Sequence, residues 1–226
     1  MSAVRLHHVS KTHGRGRQAT RALSDVSMRV EPGEFVIIEG PSGAGKTTLL
    51  SVAAGLLSPD EGQVTLSGLS LSEATVAARR AHRARNVGFV FQRSNLLDGL
   101  SVKENVLLAA EIAGVPKHDG ERQAYMLLEA LGIAHLADRR PDTLSGGEEH
   151  RVAVARALVH RPSVVFADEP TGNLDSASGR SVAEALASLA KADGVAVIVT
   201  THDARIRKFA HRRLSMVDGR LNSKES

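Results

Sequence analysis

Phe35-Val36-Ile37-Ile38-Glu39-Gly40-Pro41-Ser42-Gly43-Ala44-Gly45-Lys46-Thr47-Thr48-Leu49-Leu50 is the stretch on which the fold turns. Phe35 to Ile38 is apolar on both faces, as a buried parallel strand is. Residues 40–45 are glycine-rich, and Leu49, Leu50, Ala53 and Leu57 then recur at helical spacing. Gly40 to Thr47 fits G-x-x-x-x-G-K-[ST]. Glycines let successive backbone N–H groups turn inward around phosphate oxygens without Cβ clashes, and the following helix offers its N-terminus to the anion. Lys46 is spaced to reach the β- and γ-phosphates, and the Thr47 hydroxyl to ligate Mg²⁺. Strand before and helix after separate this loop from an ordinary glycine turn.

Outward from that segment, residues 87–91, Val164-Val165-Phe166-Ala167 and residues 195–199 are further apolar strands. Residues 95–160 read as mostly helical, broken near Gly114-Val115-Pro116 and again at 139–147. Val182, Ala185, Leu186, Leu189 and Ala190 form a helical stripe. Apolar strands alternating with helices predict a parallel α/β sheet. Val26, Met28 and Val30 alternate with Asp25, Ser27 and Arg29, which adds a small antiparallel β layer. Residues 214–221 read as a hairpin through Asp218-Gly219.

The 226 residues suit one domain, alone or with a subdomain. Apolar residues at 42% and charged at 24% are a globular mix. The absence of cysteine excludes disulfides, zinc fingers, iron–sulfur clusters and thiol catalysis. No apolar run approaches the ~20 residues of a membrane span, and no apolar signal core opens the chain, so a cytoplasmic setting is allowed. The net charge of +4 is modest but uneven. Arg5, Lys11, Arg15, Arg17 and Arg21 precede the first acid, Asp25, and Arg79, Arg80, Arg83 and Arg85 cluster. Such patches suit nucleic acid, anionic lipid, a protein contact or solvent. None of the five Phe or the single tyrosine, Tyr125, lies among these arginines, so stacking platforms for single strands are missing and no nucleic acid partner is expected.

Asp168 ends an apolar strand and Glu169 follows it. Parallel strands present their C-terminal ends to ligand. With the glycine loop in the same chain, Asp168 is expected to hold magnesium, directly or through water, and Glu169 to polarise an attacking water. A helix N-cap is the plainer reading of an Asp-Glu pair. Leu144-Ser145-Gly146-Gly147-Glu148 contains an S-x-x-E capping box that opens a helix over 148–160. Its glycines expose backbone N–H groups, so it is either a simple cap or a second anion-binding helix terminus.

At this point the residues resemble a family. Leu144-Ser145-Gly146-Gly147 is similar to the signature motif of ABC-type ATPases. Gln92 resembles the family's Q-loop glutamine, Asn173-Leu174-Asp175 its D-loop, and His202 its switch histidine, in the family's order. The resemblance runs from about Val4 to Leu221. It implies a P-loop NTPase (RecA-like) core with a parallel sheet, an antiparallel β layer and an inserted α-helical subdomain. Residues 1–92 and 162–226 would form the core, and 93–161 the helical part. It also implies an Mg²⁺-dependent ATPase whose copies pair head to tail around two ATP molecules. Each ATP would lie between Gly40, Pro41, Ser42, Gly43, Ala44, Gly45, Lys46, Thr47 and Thr48 of one copy and Ser145, Gly146 and Gly147 of the other. Gln92 would sense magnesium and couple to a membrane subunit, and His202 would contact the γ-phosphate.

Gly88-Phe89-Val90-Phe91-Gln92, Asn95-Leu96-Leu97, Glu104-Asn105-Val106 and the run from Ala167 to Asp175 resemble the lipoprotein-release and macrolide-export group, with the cell-division ATPase a near relative. That resemblance implies a separate four-helix permease chain, an ATP-dependent homodimer, force transmitted to the periplasm, and a place at the inner face of the cell membrane. Three positions depart from the pattern. His13 stands where the family usually stacks an aromatic ring on adenine, and is read as an adenine contact or as a solvent-facing loop residue. Glu149-His150-Arg151 replaces a glutamine-rich stretch, and Asp98 stands where the group often has proline. The competing readings are a soluble ABC-type ATPase acting on nucleic acid or ribosomes, and a small-molecule kinase. Repair members would carry zinc cysteines and chromosome members a long coiled coil. Ribosomal members usually join two cassettes, and a plain kinase leaves Leu144 to Gly147 unexplained.

Overall fold

The computed structural model describes residues 1–14, 16, 19–172 and 174–223. Arg15, Arg17 and Asn173 lie outside the described residues. The chain order is β1 (Val4–His13), β2 (Thr20–Val30), β3 (Phe35–Glu39), α1 (Lys46–Ala53), β4 (Glu61–Leu66), β5 (Leu69–Ser70), α2 (Val76–Asn86) and β6 (Val87–Val90). It continues with α3 (Val102–Ala113), α4 (Lys117–Ala130), α5 (Gly146–Leu158), β7 (Val164–Asp168), α6 (Ser176–Asp193), β8 (Ala196–Thr200), α7 (Ala204–Arg207), β9 (Arg212–Val217) and β10 (Arg220–Ser223).

The larger sheet has the order β10-β9-β3-β8-β7-β6. The strands from β9 to β6 run parallel, and β10 returns antiparallel through Asp218-Gly219, both at positive φ, as a two-residue primed turn requires. The smaller sheet, β2-β1-β4-β5, is antiparallel, with Val4 opposite Val30 and Leu6 opposite Met28. The α/β class and the antiparallel layer expected from sequence are both present.

The period of two along each strand divides the core between two faces. Val36, Ile38, Phe166 and Ile198 point to one side, where Leu49, Leu50 and Val52 of α1 separate the two sheets. Phe35, Ile37, Val165 and Val197 point to the other. There they meet Val182 and Leu186 of α6, and a cluster continuing through Val152 of α5, Val106 of α3 and Leu128 of α4.

Several local expectations shift. α1 stops at Ala53 because Gly55 (φ 70°) breaks it, leaving Leu57 at 37% exposure instead of on the buried stripe. α5 begins at Gly146, two residues before the expected start, since Ser145 is itself the cap. The break before it begins at Leu131 rather than at 139. β4, β5 and α2 have no counterpart in the sequence reading. α2 buries no side chain, so it carries no apolar stripe to detect. Its arginines are partly structural: Arg83 donates to the Gly55 carbonyl at 2.8 Å and Arg79 to Ser58 at 3.2 Å.

Candidate active site

β3, β8 and β7 are neighbours, and their C-terminal ends open on one edge of the sheet. Ile38 lies opposite Thr200, and Thr200 opposite Asp168. The glycine loop leaving β3 therefore lands beside the carboxylate ending β7. Gly45 caps α1 at φ 101°, and a Cβ there would lie 2.2 Å from the Ala22 carbonyl oxygen. A Cβ on Gly40 would lie 2.1 Å from the Met216 oxygen. Only glycine fits either position. The Gly219 amide also donates to Ala44 O at 3.0 Å, so the loop is braced by β2 and by the β9–β10 hairpin.

A cavity of about 400 Å³ lies over the loop. Ser42, Gly43, Gly45, Lys46, Thr47 and Thr48 line it, facing Gln92, Asp168 and Glu169. His13 is on its wall, its Nε2 3.1 Å from the Thr48 hydroxyl. The Lys46 ammonium donates to the carbonyls of Gly40 and Pro41 at 2.6 and 3.0 Å. Gly40, Pro41 and Ala44 are not on the cavity wall. The sequence reading missed Thr20, Arg21 and Ala22, which also line the cavity. They come from β2, and only sheet packing brings them there.

Asp168 is 4% exposed. Thr47 Oγ1 donates to one carboxylate oxygen at 2.6 Å and Thr200 Oγ1 to the other. Among the described residues no cation pairs with it. Thr200 as a partner of Asp168 was not anticipated, although Thr200-Thr201 leads into His202. A buried carboxylate next to a hydroxyl is a hard-oxygen donor set that suits Mg²⁺, which takes one or two protein carboxylates and fills its remaining positions with water and phosphate oxygens. No group of three or more His, Asp or Glu among the described residues forms an all-protein metal cage.

Glu169 follows in the left-handed region (φ 49°), its amide donating to Thr200 O at 2.9 Å. A non-glycine residue at positive φ is costly and persists where the surroundings enforce it. His202 Nε2 is 3.9 Å from Glu169 Oε1, with the histidine side chain 56% exposed. Ser145, Gly146 and Gly147 are not on this cavity. Ser145 caps α5 through a reciprocal pair: Glu148 N donates to Ser145 Oγ at 3.4 Å, and Ser145 N to Glu148 Oε2 at 2.7 Å. That contact, donated by the Ser145 amide and hydroxyl, holds the Glu148 carboxyl below its usual range. Beyond the cap, a Cβ on Gly146 would meet nothing within 4 Å.

Residues 23–172 match the family described as ABC transporter. The chain belongs to that family. It is the ATP-binding, ATP-hydrolysing subunit of an ABC transporter. Over 219 residues it is 37% identical to the putative hemin import ATP-binding protein HrtA of Staphylococcus haemolyticus, covering 97% of this chain and 99% of that one. It is 37% identical over 220 residues to the lipoprotein-releasing system ATP-binding protein LolD 1 of Rhodospirillum rubrum, covering 97% of each. Among solved structures, it superposes on the dimeric, post-hydrolysis ATP-binding cassette MJ0796 bound to ADP and Pi. The TM-score is 0.92 with 33% identity over 99% of each chain. These relatives favour the transporter reading over an ABC-type ATPase acting on nucleic acid or ribosomes. No helix among the described residues of this ABC subunit is long and apolar enough to cross a membrane.

Proposed function

We propose that this ABC subunit binds Mg²⁺–ATP in the cavity above α1 and hydrolyses it with Glu169 and His202. The observation that carries the reading is the convergence at the sheet edge: the Thr47 hydroxyl on Asp168 at 2.6 Å, with Glu169 the next residue and His202 within 3.9 Å of it. The loop amides from Gly40 to Lys46, with Lys46 and Thr48, hold the phosphates. Thr47, Asp168 and Gln92 would hold the ion, which would supply positive charge to offset that of the phosphates. Glu169, on a strained turn, accepts a hydrogen bond from the attacking water and aligns it with the γ-phosphorus. His202 donates to the γ-phosphate oxygen on which charge builds. His13 lies against the base.

Gly146 and Gly147 add no side chain to the α5 N-terminus beyond the Ser145–Glu148 cap, and their backbone amides suit a phosphate from another molecule. We assign Ser145, Gly146 and Gly147 to the nucleotide of a partner copy in a head-to-tail homodimer that forms with ATP. Support comes from the dimeric form of MJ0796 and from the absence of these residues from the chain's own cavity. Residues 93–161 act as the helical subdomain, moving with α5 against a core of 1–92 and 162–226. Closure drives a separate permease chain at the inner face of the membrane, in the lipoprotein-release and export group. LolD and HrtA carry names for different cargo, so the permease, rather than this subunit, selects what is moved.

The test is Glu169→Gln with ATP. The amide keeps the shape but cannot take charge from water, so hydrolysis should stop while bound ATP holds two copies together on size-exclusion chromatography. A variant that hydrolyses at the wild-type rate, or stays monomeric with saturating ATP, refutes the reading.

A further inference from the structure

Arg205 lies on α7, three residues past His202, and its side chain reaches across to two other loops. Its Nε donates to both carboxylate oxygens of Asp203, at 3.0 and 2.8 Å. One terminal nitrogen donates to the Asp175 carbonyl at 2.9 Å, and the other to the Thr171 carbonyl at 3.3 Å. Asp203 answers by accepting from the Thr171 hydroxyl at 2.6 Å. Thr171 is two residues past Glu169, inside a turn closed by the Gly172 amide on the Glu169 carbonyl at 3.1 Å. Asp203 is the residue after His202, and Asp175 caps α6. One planar fork therefore ties together the Glu169 turn, the α6 cap and the His202 turn. The helix beneath leaves room for it at a single point: a Cβ on Gly179 would lie 2.2 Å from the Arg205 guanidinium.

We propose that Arg205 is a positioning residue for ATP hydrolysis, holding the turn that carries Glu169 at a fixed distance from the turn that carries His202. The inference rests on the roles given above to those two residues. Its physical basis is geometric. A guanidinium presents donors in a rigid plane and can bind a carboxylate and two carbonyls at once; a lysine ammonium is a point donor on a flexible stem. Each carbonyl also accepts a local amide, Thr171 O from Leu174 N at 3.2 Å and Asp175 O from Gly179 N at 2.9 Å. Those bonds stay within their own turn, whereas the fork joins the two and so sets their separation. Asp203 is pushed down to about 2, chiefly by its hydrogen bond to Arg205, so the pair stays ionised at any working pH. None of these contacts touches Lys46, Thr47 or the loop, so the arrangement separates the alignment of hydrolysis from the binding of nucleotide.

The experiment compares Arg205→Ala, Arg205→Lys and Gly179→Ala with the wild-type chain. ATP affinity is measured at equilibrium, and turnover is counted per bound ATP so that misfolded protein drops out. Misplacement of a catalytic group by about 1 Å costs up to a hundredfold. Turnover should therefore fall roughly tenfold or more in all three, with ATP affinity unchanged. Gly179→Ala added to Arg205→Ala should cost nothing further, because the group it would strike is gone. Guanidinium ion should restore part of the activity of Arg205→Ala, which a merely unfolded chain would not show. Full turnover in Arg205→Ala, or a strictly additive Gly179→Ala, overturns the proposal. Glu169→Gln runs alongside. If it hydrolyses normally, the underlying reading fails; if it is inactive while Arg205→Ala is fully active, the clamp alone fails.

Discussion

Thr47→Val and Thr200→Val remove the two hydroxyls on Asp168 one at a time, and only one of them is assigned to the metal. Each substitution replaces a hydroxyl by a methyl of similar size, so packing changes little. Each deletes a hydrogen bond to a carboxylate that is 4% exposed and has no paired cation among the described residues. A hydrogen bond to a charged group contributes about 1.5–3 kcal/mol. In a chain of this length that corresponds to a fall in melting temperature of roughly 3–12 °C for either variant. Stability alone cannot distinguish the two threonines. Magnesium should. Isothermal titration with ATP, with and without Mg²⁺, should show the metal-dependent gain in affinity lost in Thr47→Val and largely kept in Thr200→Val. Thr47→Ser should restore it. If Thr47→Val retains the full gain, Thr47 only orients Asp168, and its assignment as a ligand is wrong.

Gly45→Ala forces a side chain onto a backbone at φ 101° and to within 2.2 Å of Ala22 O, whereas Gly43→Ala meets only the strain of φ 80° with open space around it. Without nucleotide, thermal melting should place Gly43→Ala about 1 kcal/mol below wild type and Gly45→Ala well below that; equal losses would contradict the bracing of the loop. Burial keeps the His150 imidazole below its usual 6.5, opposed by a hydrogen bond to the Pro170 backbone, and burial does the same to His160. The unfolded chain takes up these protons near pH 6.5 and the folded chain resists them, so stability is full above 6.5 and falls as pH drops below it, by up to ~1.4 kcal/mol per pH unit per histidine. His150→Gln should reduce the difference in melting temperature between pH 7.5 and pH 5.5, and an unchanged slope would exclude His150 as a source.

The parts visible in the sequence are those whose signal is contiguous. β3, β7 and β8 are buried on both faces, so each reads as an unbroken apolar run, and the glycine loop packs its whole chemistry into eight successive residues. The β4–β5 hairpin does alternate, with Val64 and Leu66 buried, but over too few residues to stand out. α2 is invisible for the opposite reason, since none of its side chains is fully buried and its inward contacts are polar, through His82 and Arg83. In the site, Lys46, Thr47, Asp168 and Glu169 come to hand from local patterns. Thr200 on Asp168, the Thr20 to Ala22 wall and the Arg205 fork are relations between distant segments, set by strand order and register. His202 needed the resemblance, since a lone histidine after a strand carries little meaning by itself.

The loop's foundations have a bearing on how the chain is made. Residues 40–47 emerge early from a ribosome, but β3 lies between β8 and β9, and the loop rests on Met216 and Gly219. For most of its synthesis the polypeptide therefore carries a complete phosphate-binding motif with nothing underneath it. Pairings of such long sequence separation are slow to form and close late. The loop's footing on Met216 and Gly219 is therefore among the last parts of the nucleotide site to be completed.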